Sequence, residues 1–478
     1  MDDDAMRLTK TDFIQFLNCP KSLWLLKREP EKYPYGEFSL FLQKLVREGF
    51  EVERYVEKYF EGRGRTVDFQ HVFETEEGLY ACADALEKVS DGEVILYEVK
   101  SSTSVKTDAV QNHLKDACFQ KICAERSGLR IDRVFIVHLN GGYERNGVIN
   151  PEELLVFSDV TEQVAALVEE TNAEIDEALI LLRLEEIERN GCPCLLKSRV
   201  HHCDTFYVFN PDVPTSSIYS LPRLSAKQRA NLVSKRLFDL HDVPDDYRFS
   251  EQQKLVVRSA KAGAPQIDLE SIRDFIGGFR YPLYFLDFES YASAIPILDG
   301  LSPHKHFPFQ YSVHIVGEDG TLGHREFLER EPRLPDRLVE QMVADIGNEG
   351  SVVSWHASFE KTQNREMGKW FPERATFLKD VNDRMVDLEN VFKTAYVDVR
   401  FDGSTSIKKV LPIICPDLTY DDLELQDGTF AMEAWERLFK AKPAEADGIA
   451  QSLLRYCERD TLAMVEIFRF LKSLVSEQ

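Results

Sequence analysis

The sequence predicts a two-domain α/β protein, and three observations predict it. The chain has 478 residues, 43% of them hydrophobic, which is enough for more than one core, because single cores stop growing near roughly 250–300 residues. Residues 67–100 carry the alternating runs VDFQHVF, LYACADALE and VILYEVK, followed by a helical stretch and the run RVFIVHL. A second strand-led block opens at Tyr281 with YPLYFLDFES. Strands interleaved with helices are the pattern of an α/β layer fold.

Taken in order, residues 10–60 read as helix broken near Pro30 to Pro34, ahead of the three runs of 67–100. Helix is expected over 108–127, strand over 133–139, and a long amphipathic helix over 159–190 that stops at Asn190-Gly191, since glycine favours helix C-termini. Pro211, Pro214, Pro222, Pro244 and Pro265 punctuate the stretch 204–280. It reads as a connector with a short helical pair, AKQRANLVSK and EQQKLVVRSA, whose basic residues form a solvated face. After Tyr281, FPFQYSVHIV and LGHREFLE are strands joined through Gly317-Glu318-Asp319-Gly320, a hairpin signal. Strand VVSWHA (352–357) and further helices follow. The expected domains are 1–208, a connector at 209–277, and 278–478.

Composition narrows the function classes. No run of about 18 apolar residues occurs, so no transmembrane helix is expected. The start, Met1-Asp2-Asp3-Asp4, lacks the apolar region of a signal peptide. Nine cysteines, an odd number, argue for reduced thiols or metal ligands over a disulfide framework. A cytoplasmic protein with no membrane partner is the expectation. The net charge of -24 speaks against sequence-independent coating of nucleic acid. It leaves room for acidic sites whose bound cations offset the charge, and much of the excess, as in Glu169 to Glu186, reads as solvated surface.

Asp84 lies in a strand-like segment, and Glu98-Val99-Lys100 follows the apolar run Val94-Ile95-Leu96-Tyr97. Residues i and i+2 of a strand share a face, so Glu98 and Lys100 point the same way at a buried strand end. Asp84 with a divalent ion would neutralise that pair, and two carboxylates hold a hard cation such as magnesium; the alternative is an ion pair without chemistry. This arrangement resembles the PD-(D/E)xK nucleases, and within them the RecB-like branch that includes CRISPR-associated exonucleases. The resemblance covers residues 8–205 and implies a restriction-endonuclease-like α/β core. Gly49-x-x-x-Glu53 stands where that branch carries G-x-x-x-(H/E), which implies that Glu53 joins the metal shell. Gln120 stands at its glutamine motif. The tyrosine four residues on is replaced by Ala124, and Ala83 precedes Asp84 in place of proline. Lys100 is the implied catalytic lysine.

Cys19 stands near the start, while Cys192, Cys194 and Cys203 follow the last long helix of the first domain. Widely separated thiolates join chain ends around a metal or cluster. The one-plus-three layout resembles the RecB-like nucleases that hold a 4Fe-4S cluster. Here the spacing is C-x-C-x8-C, with His201 and His202 beside Cys203, and zinc is the alternative. Cys82, Cys118, Cys123, Cys415 and Cys457 read as small core residues.

Asp287-Phe288-Glu289 ends the buried strand that opens the second domain. Tyr456 and Asp460 share a helix face at i, i+4, and His356-Ala357-Ser358-Phe359-Glu360 leads a strand into a helix. Four carboxylates and a tyrosine suit two-metal phosphodiester chemistry. The set resembles the DEDD exonucleases of the DnaQ-like group, with a ribonuclease-H-like fold over residues 278–475. Asp287 and Glu289 match the first motif, Glu360 the second with glutamate in place of aspartate, and Tyr456 with Asp460 the third. Asp387 resembles a structural aspartate of that group. His314, His324 and His356 read as packing or hydrogen-bonding residues. GSTSIKKVLP (403–412) and YCERDTLAMV (456–465) also resemble a bacterial family that joins both domain types.

Together the resemblances imply a nuclease using Mg2+ or Mn2+, with DNA ahead of RNA as its partner and 3′-to-5′ exonuclease action in the C-terminal domain. Repair, foreign-DNA degradation or end processing are the implied roles. The alternatives are a nucleic-acid-binding scaffold with inactive domains and an RNA-processing exonuclease, because the DNA–RNA choice rests on 2′-hydroxyl contacts that sequence does not display.

Overall fold

The chain folds as two α/β units, Met1–Val213 with Ser293–Lys305, and Pro214–Ala292 with His306–Gln478. The computed structural model describes residues 7–36, 40–108, 111–425 and 427–476. The acidic start Met1 to Asp4, and residues 109–110 of the expected helix, lie outside the described residues. Residues 214–277, expected as part of a connector, cluster with the second unit, and 293–305 cluster with the first.

In the first unit, strand β1 (Leu8–Thr9) runs into helices α1 (Lys10–Asn18), α2 (Pro20–Arg28) and α3 (Leu40–Glu61). Thr9 and Asp12 form a reciprocal capping box that fixes the start of α1. Strands β2 (Val67–Glu74), β3 (Leu79–Ser90) and β4 (Glu93–Val99) follow, then α4 (His113–Arg126), β5 (Arg130–Leu139), α5 (Pro151–Leu154), β6 (Leu155–Asp159) and α6 (Thr161–Arg183). The sheet runs β1-β3-β4-β5-β6, with β2 pairing β3. β4 and β5 are parallel and place Glu98 opposite Ile136, while β3 and β4 are antiparallel and place Ala85 opposite Tyr97. Phe13, Leu96, Phe119, Ile122, Val134 and Ile175 belong to the core on one side of this sheet.

Helix α6 stops at Arg183, short of the expected Asn190. The indole N–H of Trp24 donates to the Leu184 carbonyl at 3.0 Å, and Arg189 pairs with Glu29 while lying over the Trp24 ring. Contacts made about 160 residues away in sequence draw 184–190 out of helix, and local propensity yields to them. Helix α7 (Phe206–Phe209) closes the unit.

The second unit begins with α8 (Ala226–Ser234), α9 (Glu251–Ala262), β7 (Gln266–Ile267) and α10 (Leu269–Gly277). Then come β8 (Leu283–Tyr291), β9 (Phe307–Val316), β10 (Leu322–Leu328), α11 (Asp336–Asp345), β11 (Ser351–Ser354), α12 (Ser358–Trp370) and α13 (Ala375–Asp383). β12 (Met385–Asp387), α14 (Glu389–Thr394), β13 (Tyr396–Val397), α15 (Ile407–Ile414), α16 (Gly428–Leu438) and α17 (Pro443–Ser476) complete it. The sheet order is β10-β9-β8-β11-β12, and β13 pairs β7 separately. β8 is central, antiparallel to β9 and parallel to β11. That explains its near-continuous apolar run, which the interior position requires. Helix α17, 34 residues long, packs across β8, β9 and β10. Among the described residues, no helix is long and apolar enough to cross a membrane.

Candidate metal centres

In the first unit, β4 delivers Glu98 fully buried at its end. Lys100 Nζ lies 2.7 Å from Glu98 Oε1 and 2.6 Å from Asp116 Oδ2. Lys10 Nζ, from the first turn of α1, reaches Glu98 Oε1 at 2.7 Å, and Gln120 Nε2 donates to Glu98 Oε2. Asp84 Oδ2 accepts the Val99 amide at 2.7 Å, and Glu53 Oε2 accepts from Gln70 Nε2 at 2.9 Å. Burial, and then the Glu98 charge, push Asp84 up to about 8 and raise Glu53 as well. Burial opposes ionisation of Glu98 too, but the two lysines outweigh it and hold that carboxyl at about 2. The three acids therefore share one electrostatic locus. Gln120 Oε1 is buried there without a protein partner. A Cβ at Gly49 would meet nothing within 4 Å, so that glycine is not demanded by close packing. Lys10 and Asp116 escape a sequence reading: Lys10 lies 88 residues from Glu98, and only the fold joins them. Lys10, Lys100, Lys106 and His304 line a polar cleft of about 620 Å³ beside the acids.

The same unit brings Cys19, Cys192, Cys194 and Cys203 together, all buried, with their sulfurs within 4.8 Å of one another. None is in a disulfide. Extended backbone at Cys19 separates α1 from α2, and Cys192 leads the short turn Pro193–Leu196 that carries Cys194. Asn210 Nδ2 donates to Cys192 Sγ at 3.2 Å. Hydrogen bonding to Cys19, the largest influence, lowers Cys192 and brings Cys194 down to about 7, while bonding to Cys192 raises Cys19. At Cys203 the lowering bond to Cys19 is outweighed by the bonds to Cys192 and Cys194, which raise it. Four converging buried thiols are a group able to bind a metal. His201 bonds to Ser198 instead. Cys82, Cys118, Cys123 and Cys415 lie outside this group.

In the second unit, β8 supplies Asp287 and Glu289, the first turn of α12 supplies Glu360, and α17 supplies Tyr456 and Asp460. His356, at φ +62°, makes the left-handed turn that leads β11 into α12, a conformation L-residues seldom adopt. Asp387 Oδ1 caps that turn, accepting the His356 and Glu389 amides, both at 3.1 Å. Burial first, then Asp460, Glu289 and Glu360, raise Asp287 well above the usual carboxylate range. Burial and Asp460 do the same to Glu289. Burial pushes Glu360 up to about 8, and its Oε2 is buried without a protein partner. Tyr420 donates to Asp460 Oδ1 at 2.5 Å, and Lys408 Nζ donates to the Tyr456 hydroxyl at 2.8 Å. Cys457 Sγ stands 3.9 Å from Asp287 Oδ2, so this cysteine borders the acids as well as the core. Lys408 falls in the run GSTSIKKVLP, but neither it nor Tyr420 carries a local signal that points to these acids.

The family model described as "Domain of unknown function (DUF2779)" matches residues 284–406. That span holds Asp287, Glu289 and Glu360 and stops short of Lys408, Tyr456 and Asp460. Uncharacterized protein MG366 of Mycoplasma genitalium is 26% identical over 217 residues, covering 40% of this chain and 32% of the relative. Its homolog in Mycoplasma pneumoniae is 27% identical over 219 residues, covering 41% and 32%. Uncharacterized protein UU173 of Ureaplasma parvum is 28% identical over 233 residues, covering 43% and 33%. The matches thus span about a third of these relatives' lengths. No solved structure matches the chain.

Proposed function

We propose that the chain is a metal-dependent nuclease acting on DNA, with 3′-to-5′ exonuclease action carried by the second unit. The observation that carries this reading is that ligand oxygens of Asp287 and Glu289 lie, with Cys457 Sγ, within 4.8 Å of one another, beside Asp460, whose charge follows burial in raising both acids. Carboxylate oxygens in this number suit Mg2+ or Mn2+, and the orphaned Glu360 Oε2 is an acceptor that a bound cation would satisfy. A cation pair held there supplies charge neutralisation and polarisation of a phosphate oxygen. The residues themselves set the rest. Burial, then the Asp460 charge, keep the Tyr456 proton in place, where it bonds the Asp460 carboxylate, so the hydroxyl serves as a donor and not as a base. Lys408 fixes the direction of that hydroxyl. The resemblance to the DEDD exonucleases supports the reading, as does the run of antiparallel β8, β9 and β10 before parallel β11 and β12. Repair, foreign-DNA degradation or end processing are the roles it suits.

For the first unit, Glu53, Asp84 and Glu98, with Lys100 and Gln120, support a RecB-like second nuclease centre. The Lys10–Glu98 pair favours the competing reading, in which this unit binds nucleic acid and its acids are satisfied as ion pairs.

The four thiols suit zinc. Zinc–sulfur bonds of about 2.3 Å in a tetrahedron place the sulfurs roughly 3.8 Å apart, inside the span found here, whereas the four irons of a 4Fe-4S cluster spread their thiolates more widely. Metal analysis decides between them, since about four irons per chain and a brown protein would overturn zinc.

The deciding experiment is digestion of end-labelled single- and double-stranded DNA and RNA with Mg2+ or Mn2+. Wild type should trim 3′ ends of DNA, and Asp287→Asn should abolish trimming while Asp84→Asn retains it. Binding without cleavage on every substrate would sink the enzyme reading, and preferential trimming of RNA would reassign the substrate.

A further inference from the structure

His314 on β9 and His324 on β10 stand directly opposite each other in the antiparallel register. Their rings stack with centroids 4.5 Å apart. Glu458, on the turn of α17 that packs over this corner, places Oε1 3.8 Å from His324 Nδ1. One ligand atom from each of the three lies within 4.8 Å of the others. We propose that His314, His324 and Glu458 form a binding site for a borderline-soft divalent ion of the zinc class, separate from the four cysteines and from the acidic cluster.

The hydrogen bonds behind the histidines carry the argument. Thr461 Oγ1 donates back to the Glu458 carbonyl at 3.1 Å and lies 3.4 Å from that of Cys457, the usual habit of a threonine inside a helix. Its proton is thereby used, so it accepts from Ser312 Oγ and from His314 Nδ1, both at 2.8 Å. Ser312 has one proton to give, and it goes to Thr461. Ser312 Oγ then accepts from His324 Nε2 at 2.9 Å. With the Thr461 proton given to the helix carbonyl, this chain of donors sets both tautomers and leaves lone pairs on His314 Nε2 and His324 Nδ1. Metal-binding imidazoles are commonly held in this way, with the far ring N–H spent on a second partner. His324 Nδ1 then faces a carboxylate oxygen with no proton of its own, and a cation between two acceptors so placed would satisfy both. In a tetrahedral site with bonds of about 2.1 Å, ligand atoms sit roughly 3.4 Å apart, close to the 3.8 Å observed. Two imidazoles and one carboxylate leave a fourth position for water. Nitrogen donors select zinc over magnesium, which distinguishes this corner from the all-oxygen cluster. An ion here ties the sheet's edge strand β10 to α17, the helix that also carries Tyr456 and Asp460.

The test uses the full chain in excess magnesium, so that carboxylate-only sites are occupied by the hard cation. Zinc bound per chain is counted by equilibrium dialysis and metal analysis in wild type, His324→Asn and Glu458→Gln. Wild type should hold one zinc more than His324→Asn. Glu458→Gln, a near-isosteric change on an exposed side chain, should weaken that zinc at least tenfold. With cobalt in place of zinc, the visible d–d bands of this site should vanish in His324→Asn, while thiolate charge-transfer bands from the cysteines persist. Equal zinc counts and equal affinities in all three proteins would overturn the proposal. So would a Glu458→Gln variant that changes only the protonation of His324, since a shared proton would then hold the pair. Neither result depends on nuclease activity.

Discussion

Lys408 Nζ donates to the Tyr456 hydroxyl at 2.8 Å and lies 4.9 Å from the centre of the same ring. The tyrosine hydroxyl thus accepts one hydrogen bond and donates its own to the Asp460 carboxylate. With burial and the Asp460 charge raising the phenol, Tyr456 acts as a fixed donor and not as a base. Tyr456→Phe should lower the turnover of 3′-end trimming by about 10- to 100-fold, below the range of full general-base loss, with little change in KM. Lys408→Met should lower turnover in the same direction. Because the two act through one hydroxyl, the double variant should lose much less than the product of the singles. Steady-state kinetics on a labelled 3′ end measures all three, and an unaffected Lys408→Met would remove Lys408 from the site.

Half of that arrangement is legible in the sequence. Asp287 and Glu289 at i, i+2 on a strand, and Tyr456 and Asp460 at i, i+4 on a helix, announce shared faces through local periodicity. Lys408 and Tyr420 do not, because they arrive from 48 and 40 residues away. The same division holds in the first unit, where Glu98 and Lys100 share a strand face while Lys10 reaches them only through tertiary folding. Strand β6 is missed for a related reason. Leu155–Asp159 is short and gains its pairing from β5, so neighbouring residues carry little of its signal. The four cysteines are readable as a layout, but their mutual distance, which bears on the metal, belongs to the fold.

Removing one cysteine should expose what the group does for the first unit. Cys19 joins the N-terminal helices to the segment that follows α6, so metal bound there closes a very long loop. Cys194→Ser should release the metal and lower the apparent Tm of this unit by about 10 °C or more, taking several kcal/mol of binding energy at about 2–4 °C per kcal/mol. A strong chelator with reductant should reproduce the shift in wild type and add nothing to the variant. Calorimetry with metal analysis checks both.

His113 gives a pH dependence. Burial first, then the Lys100 charge, depress its imidazole to about 4, and its Nδ1 accepts the Lys106 amide at 3.1 Å. Protonation of Nδ1 would turn that acceptor into a donor facing another donor. Since the unfolded chain takes up this proton near pH 6.5 and the folded chain only near 4, the unfolded state binds more protons between those values. The stability His113 contributes is therefore complete above about 6.5 and is lost as pH falls toward 4. His113→Asn, which retains an acceptor, should flatten the denaturation midpoint over that window relative to wild type. A parallel slope in the variant would assign the pH dependence to other groups.

Metal chemistry and plain ion pairing at the first acidic set respond differently to the loss of one lysine. Glu98 is fully buried and stays ionised because two ammonium groups, Lys10 and Lys100, lie 2.7 Å from the same oxygen. Lys10→Met removes one of them while keeping the length of the stem, so buried negative charge exceeds its compensation. Breaking a fully buried pair costs about 3–5 kcal/mol. The side chain of Lys10 is 29% exposed, so solvent screening brings the expected loss down to about 1–2 kcal/mol. If Asp84, Glu98 and Glu53 hold a divalent cation, magnesium should restore more stability to Lys10→Met than it adds to wild type, because the added charge answers the same deficit. Glu98→Gln in the Lys10→Met background should cancel both the loss and the magnesium response, since neutral glutamine needs no counter-charge. Thermal melts with and without saturating magnesium read all four proteins. Equal magnesium responses in wild type and Lys10→Met would mean that the lysines alone satisfy these acids, and the first unit would then be a binding domain with no metal chemistry of its own.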